Sequence, residues 1–134
     1  MYHKIILVGN LGRDPEMRYT PSGQAVTSFN VAISDGFGDK KRTIWVRVSA
    51  WEKLAETCNT YLKKGSKVLV EGRFQSDPAT GGPRVFQRQD GSSGASYEIT
   101  ASTVRFLTSR NEAESSSEDY SEQGGGIAED DIPF

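Results

Sequence analysis

The sequence predicts a mainly β fold, a small five-stranded barrel with one helix between the third and fourth strands, followed by a disordered acidic C-terminal tail. Three observations predict it. Five segments, one a short run rich in Ile, Leu and Val and the others largely alternating apolar with other side chains, have the character of strands separated by turn and loop residues. Only one segment, between the third and fourth of them, repeats apolar residues at helical spacing. Beyond residue 110 there is no Lys or Arg and little apolar surface, so nothing there offsets the entropy of ordering the chain.

Residues 2–11 form the first strand, rich in Ile, Leu and Val and closed by Gly9, Asn10 and Gly12. Residues 13–19 are short and polar, with Pro15 as a breaker, and Pro21-Ser22-Gly23 is a turn. The second strand, residues 25–33, puts Ala25, Thr27, Phe29, Val31 and Ile33 on one face and Ser28 and Asn30 on the other. A loop carrying Phe37, Lys40, Lys41 and Arg42 leads to the third strand, residues 43–49. Ile44, Val46, Val48 and Ala50 face the core, whereas Thr43, Trp45, Arg47 and Ser49 face away.

For the helix, Ser49 and Glu52 have the spacing of a capping box. Trp51, Leu54, Ala55, Cys58, Tyr61 and Leu62 then fall on one stripe. Lys63 and Lys64 complement the negative end and Gly65 stops it. Such a helix is placed to plug one end of a sheet. The fourth strand, residues 67–75, turns Val68, Val70 and Phe74 inward, with Gly72 among them to allow a bend or bulge. Residues 77–94, with two prolines and four glycines, read as a protruding hairpin with residues 84–88 as one arm. The fifth strand, residues 97–107, breaks its alternation between Ala101 and Val104, a further bulge. This order describes the OB-fold, a five-stranded Greek-key barrel. An SH3-like barrel, the nearest competitor, usually lacks a full helix at that position.

Composition narrows the function. The apolar run of residues 5–8 is too short for a secretory signal or a membrane span, which points to a soluble, cytoplasmic protein. One cysteine and one histidine exclude an internal disulfide and a Cys/His zinc set. Cys58 on the helix stripe reads as a small buried hydrophobe, and His3 as a surface residue without a partner. The net charge of −2 hides a division. Sixteen Lys and Arg against ten acids leave residues 1–110 at +6, and eight acids without a base put residues 111–134 at −8. A basic domain on an acidic tail implies a polyanion for the first and a different partner for the second.

Catalytic patterns are missing. There is no Walker motif, Gly36-Phe37-Gly38 lacks the third glycine of a dinucleotide site, and Gly91-Ser92-Ser93-Gly94 has the wrong spacing for a nucleophile elbow. No reaction class, cofactor or metal follows. Aromatic and basic residues interleave instead: Phe37 with Lys40, Lys41 and Arg42, Trp45 with Arg47, Tyr19 beside Arg18, and Phe86 between Arg84 and Arg88. Rings stack on bases at ~1–3 kcal/mol each and cations hold phosphates, a combination suited to splayed single strands. Each has a plainer alternative. Phe37 folds back over its own loop, Phe86 clamps the two hairpin arms, and the cations of residues 40–42 are merely solvated. For Trp51 the helical spacing favours the core.

An acidic tail alone explains solubility, but not an apolar end behind carboxylates. Asp130, Asp131, Ile132, Pro133 and Phe134 fit capture in a partner's apolar pocket ringed by cations. The domains are therefore residues 1–110, a disordered linker over 111–128, and a partner-binding tip over 129–134.

Several stretches carry a closer likeness. They are Ile6-Leu7-Val8-Gly9-Asn10-Leu11-Gly12-Arg13-Asp14-Pro15-Glu16, Arg18-Tyr19, Trp45-Val46-Arg47-Val48, Lys53-Leu54-Ala55-Glu56, residues 61–68, Val70-Glu71-Gly72-Arg73 and residues 130–134. In this order and spacing the chain resembles the bacterial single-stranded-DNA-binding protein family over essentially its whole length. The resemblance implies a non-enzymatic OB-fold homotetramer that coats single-stranded DNA, without sequence preference, in replication, recombination and repair. It implies association with the nucleoid, and a tip that recruits genome-maintenance proteins. It implies base stacking on Phe37, Trp45 and Trp51, and a basic path through Arg18, Arg47, Lys53 and Lys64. Asp77-Pro78-Ala79 stands where many members have Trp, so Phe86 is the candidate replacement ring. Val46 stands where many have an interface His. An RNA-binding OB protein of the cold-shock kind, or an adaptor whose barrel binds proteins, is the alternative.

Overall fold

The structure, a computed structural model, describes residues 1–108. The linker 111–128 and the tip 129–134 lie outside the described residues. The elements are β1 (Ile5–Leu11), β2 (Glu16–Tyr19), β3 (Ala25–Asp35), β4 (Arg42–Trp51), α1 (Glu52–Tyr61), β5 (Lys67–Phe74), β6 (Val85–Gln87), β7 (Ser93–Ala95) and β8 (Tyr97–Phe106).

Five strands close a barrel in the order β1-β5-β8-β4-β3, with β3 returning to β1. All pairs are antiparallel except β4–β8. Closure rests on Asn10 and Leu11 of β1 opposite Ala32 and Val31 of β3. Gly9 permits it, because a Cβ there would overlap the Ala32 carbonyl. The expected alternation fills the interior: Val31, Val48, Val68, Val70 and Ile99 have at most 2% of their surface exposed.

The segment read as polar loop contains a strand, β2, which continues along the edge of β3 that β1 leaves, pairing Glu16–Tyr19 with Ser28 through Ala25. The predicted capping box does not form. Ser49 stays in the ladder opposite Ser28, β4 runs on to Trp51, and no side chain caps the helix. Glu52 makes the turn into α1 alone, at φ 58, in the left-handed region. Thr27 Oγ1 donates to the Ala55 carbonyl at 2.7 Å and ties α1 to the end of the barrel, with Ala55, Cys58 and Leu62 buried.

The helix also stops early. Leu62 is extended, with its N–H on the Cys58 carbonyl, so Lys63 and Lys64 lie past the last turn. Tyr61 leaves the apolar stripe, exposed against Phe106 with ring centroids 5.9 Å apart.

The two expected bulges are one. Opposite β5, the register of β8 skips Ser102 between Glu71↔Thr103 and Gly72↔Ala101. Gly72 and the broken alternation of β8 are the two sides of that irregularity. Phe74, expected in the core, is exposed because it ends β5 beyond the barrel layer. Its ring lies 5.4 Å from that of His3, and its N–H donates to His3 Nε2 at 2.9 Å, so His3 has a partner.

Candidate nucleic-acid interface

On the outer face of β3 and β4, the large residues of β4 stand opposite smaller ones of β3. Across the ladder, Trp45 faces Ala32, Arg47 faces Asn30, Ser49 faces Ser28 and Trp51 faces Val26. Cross-strand partners share a face, so the bulk rises along β4 while β3 stays low, leaving a trough between the rings. Six residues of strand separate the two indoles by roughly 20 Å. Trp45 is 52% and Trp51 37% exposed.

Trp51 is thus a strand residue. Because β4 continues past Ser49, Trp51 shares the parity of Trp45 and Arg47 and leaves the helix stripe. Val26, on the same face but only 2% exposed, lies between Trp51 and Arg18 of β2 in the ladder. One end of the trough therefore joins Arg18, Trp51 and, in the first turn of α1, Lys53.

In the middle, Arg47 lines a polar recess of about 90 Å³ with Arg13, Asp14, Glu16, Ser28, Phe29 and Asn30. Arg13 was not among the sequence candidates; its signal was adjacency to Gly12, on whose Cα the Trp45 ring lies. Asp14 ties in the segment after α1, its Oδ1 accepting from the Lys64 N–H at 2.8 Å. The outward polar residues of β3, Ser28 and Asn30, complete the floor.

The β3–β4 loop stands apart at the far end. Phe37 is 78% exposed and precedes a 3-10 turn, Gly38–Lys40, while Arg42 reaches Asp35 at 3.6 Å. The structure does not fold Phe37 back over the loop.

The third group lies on the β6–β7 hairpin. Phe86 sits opposite Gly94, and Arg88 lies over the Phe86 ring at 5.6 Å while donating to the Ser93 carbonyl at 2.7 Å. A Cβ on Gly94 would meet both side chains, so glycine lets the Arg88 guanidinium and the Phe86 ring lie close against the opposite arm. Asp90 shapes the turn by accepting from Ser92 N–H and Oγ–H, which holds its carboxyl below the usual range. Arg84, at the root of the hairpin, reaches Glu98 at 3.7 Å. Glu98 is the cross-ladder neighbour of Arg47, so the hairpin begins beside the trough.

Among the described residues no group of His, Cys, Asp and Glu is placed to hold a metal ion, and no helix is long and apolar enough to cross a membrane.

The single-strand binding protein family matches residues 2–107. A single-stranded DNA-binding protein of Neisseria meningitidis serogroup A is 44% identical over 115 residues, covering 82% of this chain and 62% of that protein. Single-stranded DNA-binding protein 1 of Chlorobaculum tepidum is 39% identical over 158 aligned positions, covering 98% of this chain and 97% of that protein. A single-stranded DNA-binding protein of Oceanobacillus iheyensis is 37% identical over 113 residues, covering 82% of this chain and 66% of that protein. The chain thus spans less than two thirds of the Neisseria relative and nearly all of the Chlorobaculum one.

Proposed function

The chain belongs to the single-strand binding protein family, and on that premise we propose that it coats single-stranded DNA without sequence preference during replication, recombination and repair. The trough carries this reading: two exposed indoles and a guanidinium on β4, opposite small residues of β3. Bases stack on Trp45 and Trp51, and Arg18, Arg47, Lys53 and Lys64 hold phosphates. Phe37 with Lys40, Lys41 and Arg42 extends the path at one end, and Phe86 with Arg84 and Arg88 flanks it. Such contacts read no base edges, so binding tolerates sequence and falls with salt.

The protein assembles as a homotetramer in this reading. Supporting it, Ile5–Gly9 of β1 pairs only with β5 among the described residues, and Ile6 beside that edge is 60% exposed. An unpaired edge is a template for a second chain. Asp130, Asp131, Ile132, Pro133 and Phe134 recruit genome-maintenance proteins while the domain stays on the nucleoid. Deleting Phe134 is predicted to leave DNA binding intact and abolish partner capture; undiminished capture refutes that role.

The test of the main reading is quenching of tryptophan fluorescence by oligo(dT), oligo(U) and duplex DNA at two salt concentrations. Strong quenching by oligo(dT), little by duplex, and loss with salt are expected. Tighter binding of oligo(U) would move the assignment to RNA.

A further inference from the structure

Glu98 is the one carboxylate among the buried polar residues, 7% exposed in the second position of β8. A buried carboxylate is costly unless paired. Its Oε2 meets Arg84 Nε at 3.7 Å and Ser96 Oγ at 3.5 Å. Arg84 precedes β6 directly, and its side chain is 61% exposed. Across the parallel β4–β8 ladder from Glu98 stands Arg47. The buried carboxylate thus pairs with one guanidinium and has a second residue of that kind at its ladder position, at the boundary between the trough and the hairpin.

An exposed arginine side chain has many rotamers, and a phosphate that captures it must first order it. An ion pair between Nε and a buried carboxylate restricts that freedom and leaves the other guanidinium donors for a phosphate. We propose that Glu98 is a positioning residue for nucleic-acid binding. It fixes Arg84, and with it the root of the β6–β7 hairpin, so that Arg84 and Arg47 flank the bound strand as a preset pair. The inference rests on the trough being the single-strand DNA site.

The test uses the full chain and oligo(dT) at several salt concentrations, comparing wild type, Glu98→Gln, Arg84→Ala and the double variant. Glu98→Gln is expected to weaken binding roughly three- to tenfold and to lower the salt slope by about one, as Arg84→Ala does. The double variant is expected to bind no worse than Arg84→Ala alone. A purely structural role would lower thermal stability with the slope unchanged, and a purely repulsive Glu98 would make Glu98→Gln bind tighter; either overturns the proposal, as does additivity in the double variant. Should Glu98→Gln not fold, Arg84→Lys tests the same link. It keeps the charge but not the fork, and is expected to bind at least about threefold more weakly; wild-type binding by it overturns the proposal. If the wild-type chain itself does not bind oligo(dT), the single-strand reading fails instead.

Discussion

The benzo edge of Trp45 lies directly over Gly12: a Cβ built on Gly12 would fall 2.5 Å from Trp45 Cζ3 and 2.7 Å from Cη2. The backbone after β1 is a shelf against which the indole rests. Gly12→Ala is therefore predicted to lift the ring while the barrel persists, since the obstructing atoms are a movable side chain. The expected loss is roughly 1 kcal/mol or more of oligo(dT) affinity, with weaker fluorescence quenching. Unchanged quenching by Gly12→Ala refutes the shelf.

Trp51 distinguishes a platform from a core residue. Truncating a core Trp costs about 3–5 kcal/mol of stability. At 37% exposure on the β4 face, Trp51→Ala is expected to cost far less in urea unfolding. It is expected to lose roughly 1–3 kcal/mol of oligo(dT) binding, with the salt slope kept. Arg47→Ala should do the reverse, lowering the slope by about one. A core-sized loss of stability in Trp51→Ala returns the residue to the helix stripe.

These two tryptophans show what the sequence made legible. Trp45 and Arg47 were placed by strand alternation, which depends only on neighbours in the chain. Trp51 was assigned by the wrong period, because the apolar positions of α1 continue through it. Only the pairing of Trp51 with Val26 decides that the strand runs two residues further. Ser49 misled for the same reason: a cap spacing is local, while its place between Ser28 and Thr100 is tertiary. β2 was missed because Glu16–Tyr19 alternates over too short a span after Pro15, and its order comes from β3. The Phe86–Arg88 contact rests on Gly94, eight residues further on, which no spacing rule connects to it.

At Gly72, where the β5–β8 register shifts, the two strands leave no room for a side chain. A Cβ there would overlap the Thr100 carbonyl oxygen and lie 3.1 Å from the Ala101 Cα. These are backbone atoms of a buried strand pair and cannot swing aside. Gly72→Ala is predicted to destabilise the chain by about 2–4 kcal/mol in urea unfolding. Ser102→Ala, on the exposed extra residue opposite, should cost under about 1 kcal/mol despite losing its bond to the Glu71 carbonyl. A mild Gly72→Ala would mean that the ladder slides to accommodate the methyl group.

Cys58 gives the pH dependence its sign. Burial under α1 pushes its thiol from 9.0 up to about 11. The folded chain therefore holds this proton at pH values where the unfolded chain has released it. The stabilisation is complete below about pH 9 and is lost as pH rises from there through about 11. Cys58→Ala is predicted to flatten that segment of the stability profile while costing some packing at all pH values. The same burial predicts that iodoacetamide at about pH 8 labels the native protein slowly and the urea-unfolded protein readily, since only an accessible thiolate reacts. Rapid native labelling would show that α1 opens away from the barrel on its own, a weaker seal than the Thr27–Ala55 hydrogen bond implies.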